Sequence, residues 1–227
     1  MKTVNNHELV KNYIDRFALS RYLSPILLEN LQLKQLGPGE YLVAQGGSLN
    51  HLYLLVMGKL QVENYQKNGS CAVFSIERAF SVIGDLELFL DNHIGTVSTV
   101  TAITKVDILE ISLSKIEQYA FNDPAFLSFI CIQLSKKLYA STQLLTNATL
   151  PALTKVRKYL SVRAETEGSV IHLEKRDSIA ALLGISTRQL NRILKDLSEL
   201  NIIHFKNKTI RILNTKYLSE IEAKDFL

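Results

Sequence analysis

Apolar positions change rhythm three times along the chain, and each change marks a different kind of element. Near the start, Val10, Tyr13, Ile14 and Phe17 keep the i, i+3, i+4, i+7 spacing of one helical face. Pro25 suits a first turn and predicts a second short helix reaching Leu33. From Leu36 to Ile111 the rhythm shortens. Tyr41 and Val43 alternate with polar or small neighbours, Leu52 to Val56 is continuously apolar, and Leu60 and Val62 follow a turn at Gly58. Asn68 and Gly69 form a two-residue hairpin signal, and Val97 to Ala102 and Val106 to Ile111 read as further strands. Short strands at this spacing predict an antiparallel sandwich or barrel.

A helical rhythm then returns. Asp123 and Pro124 supply a cap and a first-turn residue. Leu127, Ile130, Leu134, Leu138, Ser141, Leu145 and Ala148 trace one stripe at steps of three or four. A helix of that length, about 30 Å, would overhang a small sandwich, so the stripe is expected to meet the same helix of a second subunit. Thr149, Leu150 and Pro151 break the pattern. The following helix carries Val156, Tyr159 and Leu160 on one side, with Lys155, Arg157 and Lys158 elsewhere. The expected division is 1–118, 119–148 and 149–227, an α+β chain with its strands mostly in the first part.

The stretch from Arg176 to Lys195 is the most informative. Ile179, Ala180 and Leu183 lie on a first helix, Gly184 can take the left-handed turn, and Ile185 points inward. Ser186 and Gln189 have the spacing of a capping box that opens a second helix. On a helical wheel, Ile193, Leu194 and Leu197 fall within about 60° of Leu190. Arg188, Arg192 and Lys195 fall within about 40° of the centre of the opposite side. Two helices joined by a three- to four-residue turn, one face apolar and the other cationic, make a helix-turn-helix. Arginine can pair with guanine in a major groove, and lysine or arginine can hold phosphate. Ile202 to Phe205 and Ile210 to Leu213 then read as two strands joined by Lys206, Asn207 and Lys208, a wing.

Charge supports this placement. Residues 150–227 hold 14 Lys and Arg against 9 Asp and Glu, whereas residues 1–149 hold 12 against 13. A basic C-terminal third suits a polyanion. With 47% hydrophobic and 21% charged residues the chain can build a core. No apolar run approaches a membrane span, and the N-terminus lacks a signal-peptide core, so the cytoplasm is expected and no membrane partner. Cys71 and Cys131 have no C-x-x-C neighbour and are expected to be buried, reduced thiols. No nucleophile elbow, P-loop or metalloprotease motif occurs, and no metal site is expected. Asp85 and Glu87 could pose as an acid and base, but loop carboxylates of this kind ordinarily serve as solvated or capping groups. No enzymatic activity is expected. Two readings compete: a DNA-binding regulator, and a ligand-binding signalling module whose winged helix contacts protein.

With these residues in view, the chain resembles the Crp/Fnr family of bacterial regulators from about Leu36 to Leu218. The resemblance is carried by Gly39, Leu42 and Gly46, by Tyr53, Leu54, Gly58, Leu60 and Val62, and by Ile83-Gly84-Asp85-Leu86. Val100, Ala102, Leu109 and Ile111 extend it to the segment from Arg176 to Ile212. It implies a jelly-roll sensor domain, a long dimerisation helix and a winged helix-turn-helix. Ser186, Thr187, Arg188 and Arg192 stand where family members face the major groove, and Arg176 matches a phosphate-contacting position. Gln189, Lys195, Lys206 and Lys208 complete the expected DNA face. The resemblance also implies partners: double-stranded DNA, a second copy of the chain, and RNA polymerase if the protein activates.

The effector pocket implied by the family comprises Gly84, Asp85, Leu86, Thr96, Val97, Ser141 and Thr142. Here the chain departs from the pattern. The stretch from His93 to Thr101 contains no Arg or Lys to meet a cyclic phosphate, so cyclic AMP is not expected. Two cysteines cannot hold a four-cysteine iron–sulfur cluster. His93 is the residue a haem would use at this turn, although a lone loop histidine is ordinarily solvated. No cofactor is assigned.

Overall fold

The computed structural model describes residues 1–65, 71–90, 95–147 and 149–219, with the backbone alone for 143–147. The chain begins with β1 (Lys2–Thr3), α1 (His7–Arg16) and α2 (Pro25–Glu29). Strands follow: β2 (Gln32–Leu36), β3 (Tyr41–Val43), β4 (His51–Met57), β5 (Lys59–Tyr65), β6 (Cys71–Arg78), β7 (Ser81–Ile83), β8 (Thr99–Ala102) and β9 (Val106–Ser112). Two helices come next, α3 (Leu113–Tyr119) and α4 (Pro124–Asn147). The last part holds α5 (Ala152–Glu167), β10 (Val170–His172), α6 (Arg176–Leu183), α7 (Thr187–Glu199), β11 (Ile203–Lys206), β12 (Thr209–Ile212) and α8 (Thr215–Ser219). Contacts divide the chain into two units, Met1–Tyr139 and Ala140–Leu227.

In the first unit two antiparallel sheets face each other. One has the order β1-β2-β9-β4-β7 and the other β3-β8-β5-β6. Strand β4 explains its own composition. Leu52, Leu54 and Val56 enter a core shared with the helices, whereas Tyr53 and Leu55 enter the core between the sheets. A strand buried on both faces must be apolar throughout, which is why Leu52 to Val56 reads as an unbroken run. Strand β9 does the same with Leu109 and Ile111 on one side and Val106 and Ile108 on the other. Each such side chain contributes about 1.5–3 kcal/mol by leaving water. A polar strut crosses the helical core, where the Tyr13 hydroxyl donates to Asp107 Oδ2 at 2.6 Å.

The second unit wraps α5, α6 and α7 around a three-stranded sheet of order β10-β12-β11. Its core includes Val156, Leu160, Ile171, Ile179, Leu190, Leu194, Ile203 and Ile210.

Two expectations need correction. The second helix stops at Glu29 rather than Leu33, because residues 32–36 pair with β9, from Gln32 with Glu110 to Leu36 with Val106. Ladder hydrogen bonds outweigh the weak helical pattern there. Both cysteines are exposed, not buried. Arg157 is buried, with its guanidinium 4.3 Å from the centre of the Tyr217 ring. The Asn68–Gly69 turn and His93 lie outside the described residues. Among the described residues no helix is long and apolar enough to cross a membrane.

Gly58, between β4 and β5, has a φ of +90°, and a Cβ there would sit 2.3 Å from the Lys105 carbonyl oxygen. Both the conformation and the space require glycine. Gly58→Ala is expected to destabilise the first unit by about 2–4 kcal/mol, read as a lower urea midpoint with the second unit's transition unmoved.

Candidate nucleic-acid interface

Gly184 sets the angle between the two helices of the motif. Its φ of 60° and ψ of 40° end α6 in a left-handed cap, a conformation that penalises other residues. The Ile185 N–H then returns to the Ala180 carbonyl at 3.0 Å. Ala180 is itself buried, so the close approach needs its small side chain.

Helix α7 starts with a complete capping box. The Ser186 hydroxyl oxygen accepts from the Gln189 N–H at 3.1 Å, and Gln189 Oε1 accepts from the Ser186 N–H at 3.0 Å. Leu190, Ile193, Leu194 and Leu197 are all buried in the second unit's core. Arg188, Gln189, Asn191, Arg192 and Lys195 are exposed. The division between an apolar and a cationic face is thus realised in three dimensions. Its charge is concentrated toward the N-terminal half, because Lys195 pairs with Glu199 at 3.5 Å near the other end. The positive end of the helix dipole lies on the same half and adds to its attraction for phosphate.

Neighbouring groups hold this end in place. The Thr187 hydroxyl donates to Asp177 Oδ1 at 2.7 Å. Arg176 donates to Asn191 Oδ1, and its guanidinium lies 4.5 Å from the centre of the Phe205 ring. Arg176 therefore ties α6, α7 and β11 together, a role that spacing did not reveal. Asn191 could have been found only by knowing which way Arg176 reaches. In the wing, Asn207 and Lys208 take φ values of 48° and 64°. Two successive left-handed residues form the tight hairpin turn that matches strand twist. Lys206 and Lys208 are exposed there.

Not every cation in this unit faces outward. Arg163 is buried and donates to Glu167 at 2.6 and 2.9 Å, to Glu174 at 2.9 Å and to the His172 carbonyl at 2.8 Å. Burial works against its charge, but the bonds to Glu167 and the carboxylates around it outweigh burial and raise its pKa. Arg157 and Arg163 account for part of the basic excess without offering it to a partner.

The residues of the expected effector pocket have different local surroundings. Gly84 has a φ of +94°, and Leu86 is exposed. Asp85 is 1% exposed, with Oδ1 held by Lys137 Nζ at 2.6 Å. Burial pushes its carboxyl above the ordinary range, against the pull of the Lys137 ammonium. Thr96 is 3% exposed, and the Val97 N–H donates to Glu87 Oε1 at 3.0 Å. Ser141 and Thr142 have exposed side chains and belong to the second unit.

The dimer stripe is corrected in its first half. Ile130 is buried in the first unit's own core, and Leu127 and Leu134 pack against it. Periodicity marks a buried face but cannot say what buries it. The face of α4 left exposed carries Cys131, Ile132, Ser135, Leu138 and Tyr139, with Leu138 at 70% and Tyr139 at 68% exposure. The side chain of Leu145, and Ala148 altogether, lie outside the described residues.

Comparison with known proteins follows the same partition. A family model described as cyclic nucleotide-binding domain matches residues 33–123, and one described as Crp-like helix-turn-helix domain matches residues 154–221. The regulatory protein YeiL of Escherichia coli is 27% identical over 181 residues, covering 79% of this chain and 80% of that protein. The cAMP-activated global transcriptional regulator CRP of Haemophilus influenzae is 26% identical over 182 residues, 77% of this chain and 81% of that one. In fold, the structure of FixK2 from Bradyrhizobium japonicum superposes with a TM-score of 0.74 at 16% identity, covering 83% of this chain and 95% of that one.

Replacing Ser186 with alanine removes the cap from α7 and is expected to cost the second unit about 1 kcal/mol. Urea denaturation checks this, and Ser186→Asp, which restores an acceptor, should recover most of the loss.

Proposed function

The chain belongs to the Crp/Fnr family of transcription regulators, and on that premise we propose that it works as a homodimer holding a near-palindromic DNA site through paired α7 helices. The family regulates transcription and is not a family of enzymes. The observation that carries the reading is the exposure of Arg188 and Arg192 on a helix whose opposite side is wholly buried. Arg188 and Arg192 read base edges, with Ser186, Thr187 and Gln189 beside them. Arg176, Lys195, Lys206 and Lys208 meet the phosphate backbone.

Dimerisation uses the exposed face of α4. Cys131, Ser135, Leu138 and Thr142 follow one another at steps of four, three and four, the spacing of a coiled-coil seam. In a dimer of this class the two recognition helices enter successive major grooves about 34–36 Å apart. The division into a β-roll sensor (1–118), a dimerisation helix (119–148) and a winged DNA-binding domain (149–227) gives each part its task. The first receives a signal, the second joins the subunits, and the third holds the operator. DNA as the partner places the protein in the cytoplasm.

Two measurements test this reading. In gel-shift titrations against genomic fragments, Arg188→Ala with Arg192→Ala should weaken selected sites by at least about 30-fold, since each bidentate contact supplies roughly 1–3 kcal/mol. Lys208→Ala should weaken all sequences alike and lower the salt slope by about one. Wild-type binding that shows no sequence preference would refute the proposal. Separately, Leu138→Glu is expected to sediment as a monomer and to lose tight operator binding. A dimer that survives this change would exclude the α4 seam.

A further inference from the structure

A cyclic nucleotide monophosphate is the ligand that the first unit's family implies. Such a ligand brings an anionic phosphate, which must be met by a cation or by unspent N–H and O–H donors once it leaves water. The residues around Asp85 do not fit it. No Lys or Arg stands between Arg78 and Lys105 in the sequence.

Among the described residues, the donors of Thr96 and Val97 are already spent. The Val97 N–H is held by the Glu87 carboxylate at 3.0 Å. The Thr96 N–H donates to the Gly47 carbonyl at 2.8 Å, and its hydroxyl donates to the Ala44 carbonyl while accepting from the Gly47 N–H at 3.1 Å. Gly95 and Thr96 are closed down on the turn at residues 46–47, where a Cβ at Gly95 would lie 2.9 Å from the Gly46 carbonyl oxygen.

Among the described residues, Lys137 of α4 is the cation paired with this carboxylate. Its ammonium lies 2.6 Å from Asp85 Oδ1 and 2.5 Å from the Val82 carbonyl oxygen. Asp85, Glu87 and Lys137 together leave a net negative charge, so a phosphate entering here would meet like charge at low dielectric.

We infer that this cassette is filled from within: the Glu87 carboxylate takes the N–H that a phosphate would need, Lys137 neutralises Asp85, and the first unit takes up no cyclic nucleotide. The inference rests on the reading of this unit as the sensor, but its test reads nucleotide binding and not DNA.

Isothermal titration of the full-length wild-type chain with cyclic AMP and with cyclic GMP, to millimolar concentration, is expected to give no saturable heat and no shift in the first unit's thermal midpoint. Saturable binding of either would overturn the inference. Lys137→Met strands the buried Asp85 carboxylate and should lower that midpoint, while Lys137→Arg should restore most of it. A midpoint indifferent to Lys137→Met would overturn the latch. Should Lys137→Met fail to fold, Glu87→Ala serves in its place. It frees the Val97 N–H, whose hydrogen exchange should quicken about tenfold or more, and unchanged exchange there would count against the inference just as firmly.

Discussion

A helix that gives one side to a core has no choice about what it shows on the other. This constraint, imposed on α7, organises the second unit. Leu190, Ile193, Leu194 and Leu197 are held under the core, and their burial alone orients Arg188 and Arg192 outward. The capping box fixes where the helix starts, and Gly184 fixes its angle to α6. Arg176 then joins both helices to the wing through Asn191 and Phe205. The backbone that carries this cationic surface is held in place by these contacts, so less ordering entropy would oppose binding to a partner.

The same logic acts on α4, with a different outcome. Its first half spends an apolar stripe on its own unit through Phe126, Phe129 and Ile130. A second stripe, offset around the helix, stays exposed and includes Leu138 and Tyr139. One helix thus serves two apolar surfaces, and Lys137 lies between them on the side that reaches Asp85. The first unit's cassette and a prospective subunit interface share a single rigid rod.

Much of this was legible in the sequence because local rules and burial agreed. The helix-turn-helix is the clearest case: Ala180, Gly184, Ser186 and Gln189 each do in the structure what their chemistry forecasts. The alternation within the sandwich and the Asp123 cap of α4, whose Oδ1 accepts from the Ala125 N–H at 2.9 Å, were equally readable. Errors arose where a pattern had two solutions. The residues after Asn30 carried a faint helical signal that strand pairing overrode. The Leu127–Ile130–Leu134 stripe was correctly apolar, yet periodicity could not tell an internal neighbour from a second subunit. Long-range polar contacts left no trace at all. Nothing in Glu87 announces Val97, and nothing in the Lys136-Lys137 pair announces Asp85. Arg163 shows the converse, since a charge in a basic stretch turned out to be internal scaffolding.

The capping box bears on how finely α7 can discriminate. Gln189 gives its carbonyl oxygen to the Ser186 N–H and hydroxyl, at 3.0 and 3.2 Å. What it can turn toward a base edge is therefore an amide NH2, which donates only. The two-pronged pairing that singles out adenine asks one amide to donate and accept together, and that grammar is closed to a glutamine committed in this way. Any purine offering an N7 acceptor would satisfy it equally. In the proposed complex the letter opposite Gln189 would then be a degenerate one, and the arginines on either side would carry the information in the recognised word.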